Sequence, residues 1–366
     1  MSSFISSIGT AVPANRISQS DIALFMTKHL GLKPEKEKLL TLLYRASGIQ
    51  YRHSVIEDFG KNPTDFTFFP NAHNLEPFPK VGERMKKYEQ EAIKLSISAV
   101  QDCLGTTEAT GITHLITVSC TGMYAPGLDI DLIERLKLPT TTQRTSINFM
   151  GCYAAFNALK IADQIVRNNA GHKVLIVAVE LCSIHVLKND AEDSLLSNTL
   201  FGDGAAAVLV EGEDPNKTQL AMAAFHADLA PSGKPDMAWH IGDFGFEMKL
   251  SVQVPEVIRS GIASLTQKLL SQLSLNLSDI DYFAIHPGGK RILEVIEEEL
   301  GISRDQNVHA YEVMRNYGNM SSPTVLFVLQ RLMKNISNQD EHKNILSFAF
   351  GPGLTLESML LKIKTT

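Results

Sequence analysis

Three stretches of the 366-residue chain carry side chains suited to thioester chemistry. In FMGCYAAFNALKIADQIV, Phe149 to Val166, Cys152 follows a glycine and precedes a run with helical periodicity. At the first turn of a helix beginning near Tyr153, unpaired N–H groups and the helix dipole stabilise a thiolate. The apolar neighbours Phe149, Met150 and Phe156 act the other way, because burial penalises the charged form, so a buried core thiol is the competing reading. A cysteine nucleophile needs a base or an ion-pair partner. Of eleven histidines, His286 ends the apolar run DYFAIHP and is followed by Pro-Gly-Gly, a turn at the carboxyl end of a strand where open α/β sheets place their sites. His29, His53, His172 and His342 stand in polar contexts and read as surface. Asn319, in NYGNMSSP, follows a glycine and opens a helical run, so its amide can donate hydrogen bonds without becoming charged. Cysteine, histidine and asparagine together point to a thioester-forming centre. LFGDGAAAVLV, 200 to 210, lacks the lysine and longer glycine fingerprint of a phosphate loop and reads as a tight turn into a strand.

These residues need a framework. Short apolar runs, HLITVSC (114–120), KVLIVAVEL (173–181), AAAVLVEG (205–212), DYFAIHP (281–287) and NILSFAFGPG (344–353), read as buried strands separated by helical segments, an α/β pattern. In GERMKKYEQEAIKLSISAVQDCLG, the residues Met85, Tyr88, Ala92, Leu95, Ala99 and Cys103 fall on one helical face. Residues 60–80, with four prolines and four Phe, read as an ordered loop wrapped over the body. INFMGCYAAFNALKIA, read as a strand, a Gly-Cys turn and a helix, is echoed by NYGNMSSPTVLFVLQRLM, where a Gly-Asn turn opens an apolar helix, and the crossover falls in EGEDPNKTQL, 211–220.

Composition narrows the function classes. The net charge of −6, with both signs mixed, supplies no field for a nucleic-acid backbone. The N-terminal MSSFISSIGTAVPANR does not read as a signal peptide, and no apolar run is long enough to span a membrane. Cys103, Cys120, Cys152 and Cys182 show neither zinc-site spacing nor disulfide density, so a reducing cytoplasm and no bound metal are expected.

The set GCYAAFNAL, LFGDGAAAVLV, AIHPGGKRIL, YGNMSSPTVLFVL and AFGPGLTLE, in this order, closely resembles the type III polyketide synthases, the chalcone and stilbene synthase family. The resemblance implies a thiolase-like layered αβαβα fold of two duplicated halves, 1–220 with the cysteine and 221–366 with the histidine and asparagine, in a homodimer. It implies that Cys152 takes the starter from an acyl-CoA and holds the growing chain. His286 would hold Cys152 as thiolate and, with Asn319, bind the carbonyl of malonyl-CoA as decarboxylation releases an enolate. No cofactor is needed beyond the coenzyme A thioesters. Phe201 would be the gatekeeper between coenzyme A tunnel and cavity. Ser321 and the loop Phe350, Gly351, Pro352 and Gly353 would line the cavity. Arg45, Arg52, Lys290 and Arg291 are candidates for the coenzyme A phosphates. An initiating-type ketoacyl synthase, a papain-like hydrolase and a non-catalytic acyl-binding scaffold are the alternatives.

Departures from the plant pattern bear on the substrate. CTGMYAPG places Cys120, Thr121 and the small Ala125 where plant enzymes carry TTSG and an interface-crossing methionine. ELCSIHV places Cys182 and His185 at threonine positions, and Met248 and Trp239 align with a phenylalanine and a glycine. CTG and ELCS resemble bacterial enzymes that make alkylresorcinols, alkylpyrones or acylphloroglucinols. A medium- or long-chain acyl-CoA starter is expected, with Trp239 and His185 narrowing the pocket.

Overall fold

The computed structural model describes residues 2–72, 74–107 and 109–366. The first half of the chain runs β1 (Phe4–Ala11), β2 (Arg16–Ser18), α1 (Gln19–His29), α2 (Pro34–Ala46), β3 (Tyr51–His53), α3 (Val81–Leu104), β4 (His114–Ser119), α4 (Leu128–Leu136), β5 (Gln143–Asn148), α5 (Ala154–Asn168), β6 (Val174–Leu181), α6 (Glu192–Leu200) and β7 (Asp203–Glu211). There follow β8 (Gln219–Leu229), β9 (Met237–Gly242), β10 (Gly245–Leu250), α7 (Val254–Ser271), β11 (Tyr282–Ile285), α8 (Lys290–Leu300), α9 (Val308–Tyr317), α10 (Thr324–Lys334), β12 (Asn344–Gly351) and β13 (Thr355–Lys364).

Nine strands are hydrogen-bonded in the order β11-β12-β13-β8-β1-β7-β6-β4-β5. On one side of the middle, β4 runs parallel to β5 and β6, β6 antiparallel to β7, and β7 antiparallel to β1. The other side repeats the scheme: β11 is parallel to β12, β12 antiparallel to β13, and β13 antiparallel to β8. The two halves join through Phe4 with Ala221 and Ile5 with Leu220.

Side-chain period explains the layering. Along β6, Val174, Ile176 and Ala178 enter one apolar core, and Leu175, Val177, Val179 and Leu181 the other. The second core is covered by α1 to α4, whereas the first holds α5 and α10. Ala154, Ala155, Phe156, Ala158, Leu159 and Ala162 of α5 have no exposed surface, and α10 is buried from Thr324 to Gln330. A helix apolar on all sides belongs in a central layer. The echo read in the sequence is therefore a pair of inner helices. Both are entered by a left-handed residue, Gly151 at φ 87° before α5 and Ser321 at φ 57° before α10.

The five apolar runs and the helix over α3 lie where the sequence places them. The helix after Cys152 begins at Ala154. Sequence reading misses β1, β8 and β13, whose serine, glycine, alanine and polar content hides the alternation, and finds of β5 only the end that leads into the Gly-Cys turn. The 60–80 loop is organised by Asp58, whose buried carboxylate accepts hydrogen bonds from the amides of Thr67, Phe68 and Phe69 at 2.7–3.0 Å. Phe25 packs against Phe59, Phe66 and Phe69 beneath it. Among the described residues no helix is long and apolar enough to cross a membrane.

Candidate active site

The chemistry-bearing residues collect at the carboxyl ends of parallel strands. Cys120 and Thr121 follow β4, and Cys152 stands in the turn between β5 and α5. Cys182 to His185 form a short turn after β6, His286 follows β11, and Phe350 and Gly351 end β12. Cys152, His286, Asn319, Ser321 and Phe201 all line one cavity of about 1210 Å3, counting its open mouth.

Cys152, His286 and Asn319 are 8%, 1% and 3% exposed. Burial pushes the Cys152 thiol up to about 11, against the hydrogen bonds of Ser321 and Asn319, and pushes His286 down to about 3. Desolvation thus opposes the helix-start argument at Cys152. Neither ring nitrogen of His286 has a hydrogen-bond partner within the protein, although both are buried. Asn319 is held firmly: its Oδ1 accepts the Ser321 N–H at 2.8 Å and its Nδ2 donates to the Gly288 carbonyl at 3.2 Å. Its backbone bonds Leu200 and Gly202, each at 2.9 Å, which seats Phe201 beside it. The side-chain amide of Asn319 thus serves both the Gly288 carbonyl and Cys152.

Behind these groups lies Glu180, which sequence reading misses because a strand-end glutamate carries no motif. Its buried carboxylate accepts from the Cys120 N–H at 2.8 Å, the Thr121 hydroxyl at 2.8 Å and the Ser322 hydroxyl at 2.7 Å. It therefore joins the loop after β4 to the turn that carries Asn319. Burial raises its pKa, with these donors opposing. Cys120 also accepts the Gly151 N–H on its sulfur at 3.0 Å.

The β9–β10 hairpin adds Trp239, Phe246 and Met248 to the lining. Trp239 Nε1 donates to the Cys120 carbonyl at 2.7 Å, and the Phe246 N–H donates to His185 Nδ1 at 2.9 Å. His185 Nε2 then donates to the Thr121 carbonyl at 2.6 Å, so the ring is the neutral Nε2–H tautomer, and burial holds its pKa down at about 3. Its ring stacks on Phe246 at 4.3 Å, and Trp239 meets it edge-on at 5.7 Å.

The expected residues divide. Cys120, Thr121, Cys182, His185, Met248, Phe350 and Pro352 lie on the cavity with the central three. Ala125 does not: it is exposed on the loop after β4. Gly351 and Gly353 are also off the lining; Gly351 instead lets β12 approach Tyr153, where a Cβ would fall 2.5 Å from the ring. Arg52 is buried and spends its guanidinium on Gln19, Asn198, Phe201 and Tyr44, so it is a structural cation and not a phosphate ligand. Arg291 is tied to Glu298 at 2.9 Å, whereas Lys290 lies 3.7 Å from Glu294 and Arg45 is exposed at the end of α2. His29 and His53 are buried at 2% and 9%, a correction to the surface reading. Ile22, Met26 and Phe59 also reach the cavity, with no local signal beyond ordinary core spacing. Among the described residues, no group of three or more His, Cys, Asp or Glu side chains is arranged to hold a metal ion.

Comparison with known proteins agrees with this geometry. Residues 2–215 match the family model "Chalcone and stilbene synthases, N-terminal domain", and residues 219–364 the corresponding C-terminal domain. The "Alpha-pyrone synthesis polyketide synthase-like Pks18" of Mycobacterium tuberculosis is 31% identical over 98% of this chain and 91% of its own length. Polyketide synthase 37 of Dictyostelium discoideum is 32% identical over 96% of this chain, which spans 12% of that protein. The crystal structure of PKS-I from the brown alga Ectocarpus siliculosus superposes with a TM-score of 0.92 at 31% identity, covering 99% of this chain and 98% of that one. The C-terminal type III domain of Steely1, a type I/III hybrid from Dictyostelium, gives 0.90 at 29% identity over 99% of each chain. Matched in both halves by the family's own models and over nearly its whole length by polyketide synthases, the chain belongs to the chalcone and stilbene synthase family, as a type III polyketide synthase of thiolase-like fold, a condensing acyltransferase.

Proposed function

We propose that this synthase loads a medium- or long-chain fatty acyl group from coenzyme A onto Cys152 and extends it with malonyl-CoA. The extended chain is then cyclised to a resorcinol, phloroglucinol or pyrone. The observation that carries the reading is His286, an imidazole with no protein partner, lining the same cavity as Cys152 and Asn319. As Cys152 adds to the starter thioester, its proton passes to His286 and then to the departing coenzyme A thiolate. The malonyl thioester carbonyl next accepts hydrogen bonds from His286 and the side-chain amide of Asn319. Loss of CO2 leaves an enolate whose carbon attacks the acyl-Cys152 carbonyl and expels the thiolate. CO2 release drives the step, so we propose that no metal or redox cofactor takes part. The apolar residues Ile22, Met26 and Phe59 on the lining support an aliphatic starter, and the name of the Mycobacterium relative favours a pyrone among the products.

For the coenzyme A phosphates, Arg45, exposed at the end of α2, and Lys290, at the start of α8, remain. We also propose a cytoplasmic homodimer, supported by the exposed edge strand β5 and by Met123, 45% exposed near Ala125. The halves are read as 1–220 and 221–366. The deciding experiment supplies radiolabelled malonyl-CoA with octanoyl- to palmitoyl-CoA against acetyl-, benzoyl- and coumaroyl-CoA, and compares Cys152→Ala with Cys152→Gln. Product should vanish in both variants while Cys152→Gln still decarboxylates malonyl-CoA. Product from Cys152→Ala, or turnover of short or aromatic starters alone, defeats the corresponding part.

A further inference from the structure

The cavity lining carries a polar row that the condensation steps do not use. Ser54 follows β3, Ser183 lies in the short turn after β6, and both line the cavity together with the aliphatic Ile22 and Met26. Asp203, the first residue of β7, is off the lining and has no exposed surface. One of its carboxylate oxygens accepts the Ser183 N–H at 2.7 Å, and the other accepts the Ser183 hydroxyl at 2.6 Å and the Val55 N–H at 2.8 Å. The Ser183 oxygen in turn accepts the Ser54 hydroxyl at 2.7 Å. The segment after β3, the turn after β6 and the start of β7 thus meet in one row of hydrogen bonds.

The carboxylate fixes the order of protons along this row. Burial pushes Asp203 up to about 6, against the hydrogen bonds of Ser183 and Val55, so at neutral pH it is ionised and accepts only. Ser183 must give its one hydroxyl proton to Asp203, and Ser54 must then give its own to Ser183. The Ser54 oxygen also accepts the Ile56 N–H at 2.9 Å. Each serine oxygen is left with one lone pair and no proton to offer. A bound chain therefore meets an acceptor without a donor. A methylene laid against it leaves the lone pair unpaired away from water, whereas a hydroxyl satisfies it, and the negative charge at the end of the row strengthens that bond.

We propose that the row Ser54, Ser183 and Asp203 selects acyl chains that carry a hydroxyl group, with Ser54 accepting its hydrogen bond, so that the preferred starter is a hydroxylated fatty acyl-CoA. The row also discriminates by what it lacks. A plain chain buries the lone pair unpaired, and an oxo group, which has no proton to give, sets one lone pair against another. Preference runs from hydroxy to plain to oxo. This rests on the fatty acyl reading above and narrows it to a substrate class.

Steady-state kinetics on the full-length protein test it, with dodecanoyl-CoA, the positional series of monohydroxydodecanoyl-CoA and the matching oxo series. At the chain position that meets Ser54, kcat/KM for the hydroxy chain should exceed that for dodecanoyl-CoA at least about fivefold, the scale of one hydrogen bond, with the oxo chain lowest. In Ser54→Ala the ratio of hydroxy to plain chain should fall to about one. Ser183→Ala keeps the Ser54 hydroxyl and frees its proton, so there the oxo chain should gain on the hydroxy chain. A hydroxy series that nowhere exceeds dodecanoyl-CoA in the wild type, or a preference that survives in Ser54→Ala, overturns the row alone. Failure of the wild type to extend any of these chains while it accepts aromatic starters overturns the fatty acyl reading and the row together.

Discussion

Removing Glu180 separates a positional role from a charge role. In Glu180→Ala, the Cys120 amide and the Thr121 and Ser322 hydroxyls lose their acceptor in a site closed to water. At roughly 1 kcal/mol for each orphaned donor the variant loses about 3 kcal/mol, which for a chain of this length lowers the unfolding midpoint by about 4 °C. Glu180→Gln behaves differently. The amide oxygen can keep Cys120 and Thr121, and the Ser322 hydroxyl can rotate to accept from the amide nitrogen. The pH dependence adds a sign. Burial holds the Glu180 pKa above the usual carboxyl value, so its contribution is fully present below the unfolded-state pKa and is lost as pH rises through the raised value. Glutamine does not titrate, so the wild type should lose stability relative to Glu180→Gln between pH 4 and neutrality. Differential scanning fluorimetry across that range, with malonyl-CoA decarboxylation measured in parallel, gives both readouts. A glutamine variant as unstable as the alanine one at neutral pH, or a gap to wild type that does not move with pH, refutes this account.

Three further outcomes follow. Because burial holds Cys152 at about 11 and His286 near 3, iodoacetamide alkylation of the substrate-free protein should accelerate continuously from pH 7 to 10. A plateau by pH 7 would instead show a preformed thiolate-imidazolium pair. Gly351→Ala places a Cβ against Tyr153 and 3.4 Å from the Cys152 nitrogen; about 1–3 kcal/mol of destabilisation and reduced condensation are expected, and wild-type values for both would contradict the close approach. Asp58→Ala strips the acceptor from three loop amides, so limited proteolysis should cut within 60–80 well before the body of the protein, and an uncut loop would argue against that anchor.

Legibility in the sequence followed chemistry that is local. Cys152, His286 and Asn319 each sit beside a glycine-containing turn at the end of a strand or the start of a helix, so residue type and neighbours reveal them together. Strands β4, β6 and β12 declared themselves because both faces are buried and the run is continuously apolar. β1 stayed hidden and β5 showed only at its end, for opposite reasons: FISSIGTA lies at the centre of the sheet but is built of small residues, and QRTSIN is an edge whose side chains face outward. Arg52 misled because sequence shows a charge without showing four partners folded around it. Glu180 owes its role to residues distant in the chain, Cys120, Thr121 and Ser322, and no window along the sequence contains that information.

The place of β1 has a consequence for how the molecule is made. It is the fifth of nine strands in the sheet, yet it precedes every other strand of that sheet in the chain. Its two neighbours, β7 and β8, begin at Asp203 and Gln219. At the usual pace of translation, about 5–20 residues per second, β1 waits roughly 10–40 s before either flank can pair. The middle of the sheet is thus synthesised first and completed last. Until then Phe4, Ile5 and Ile8 present an open apolar strand, and a chaperone that shields it during that interval would favour soluble protein over aggregate.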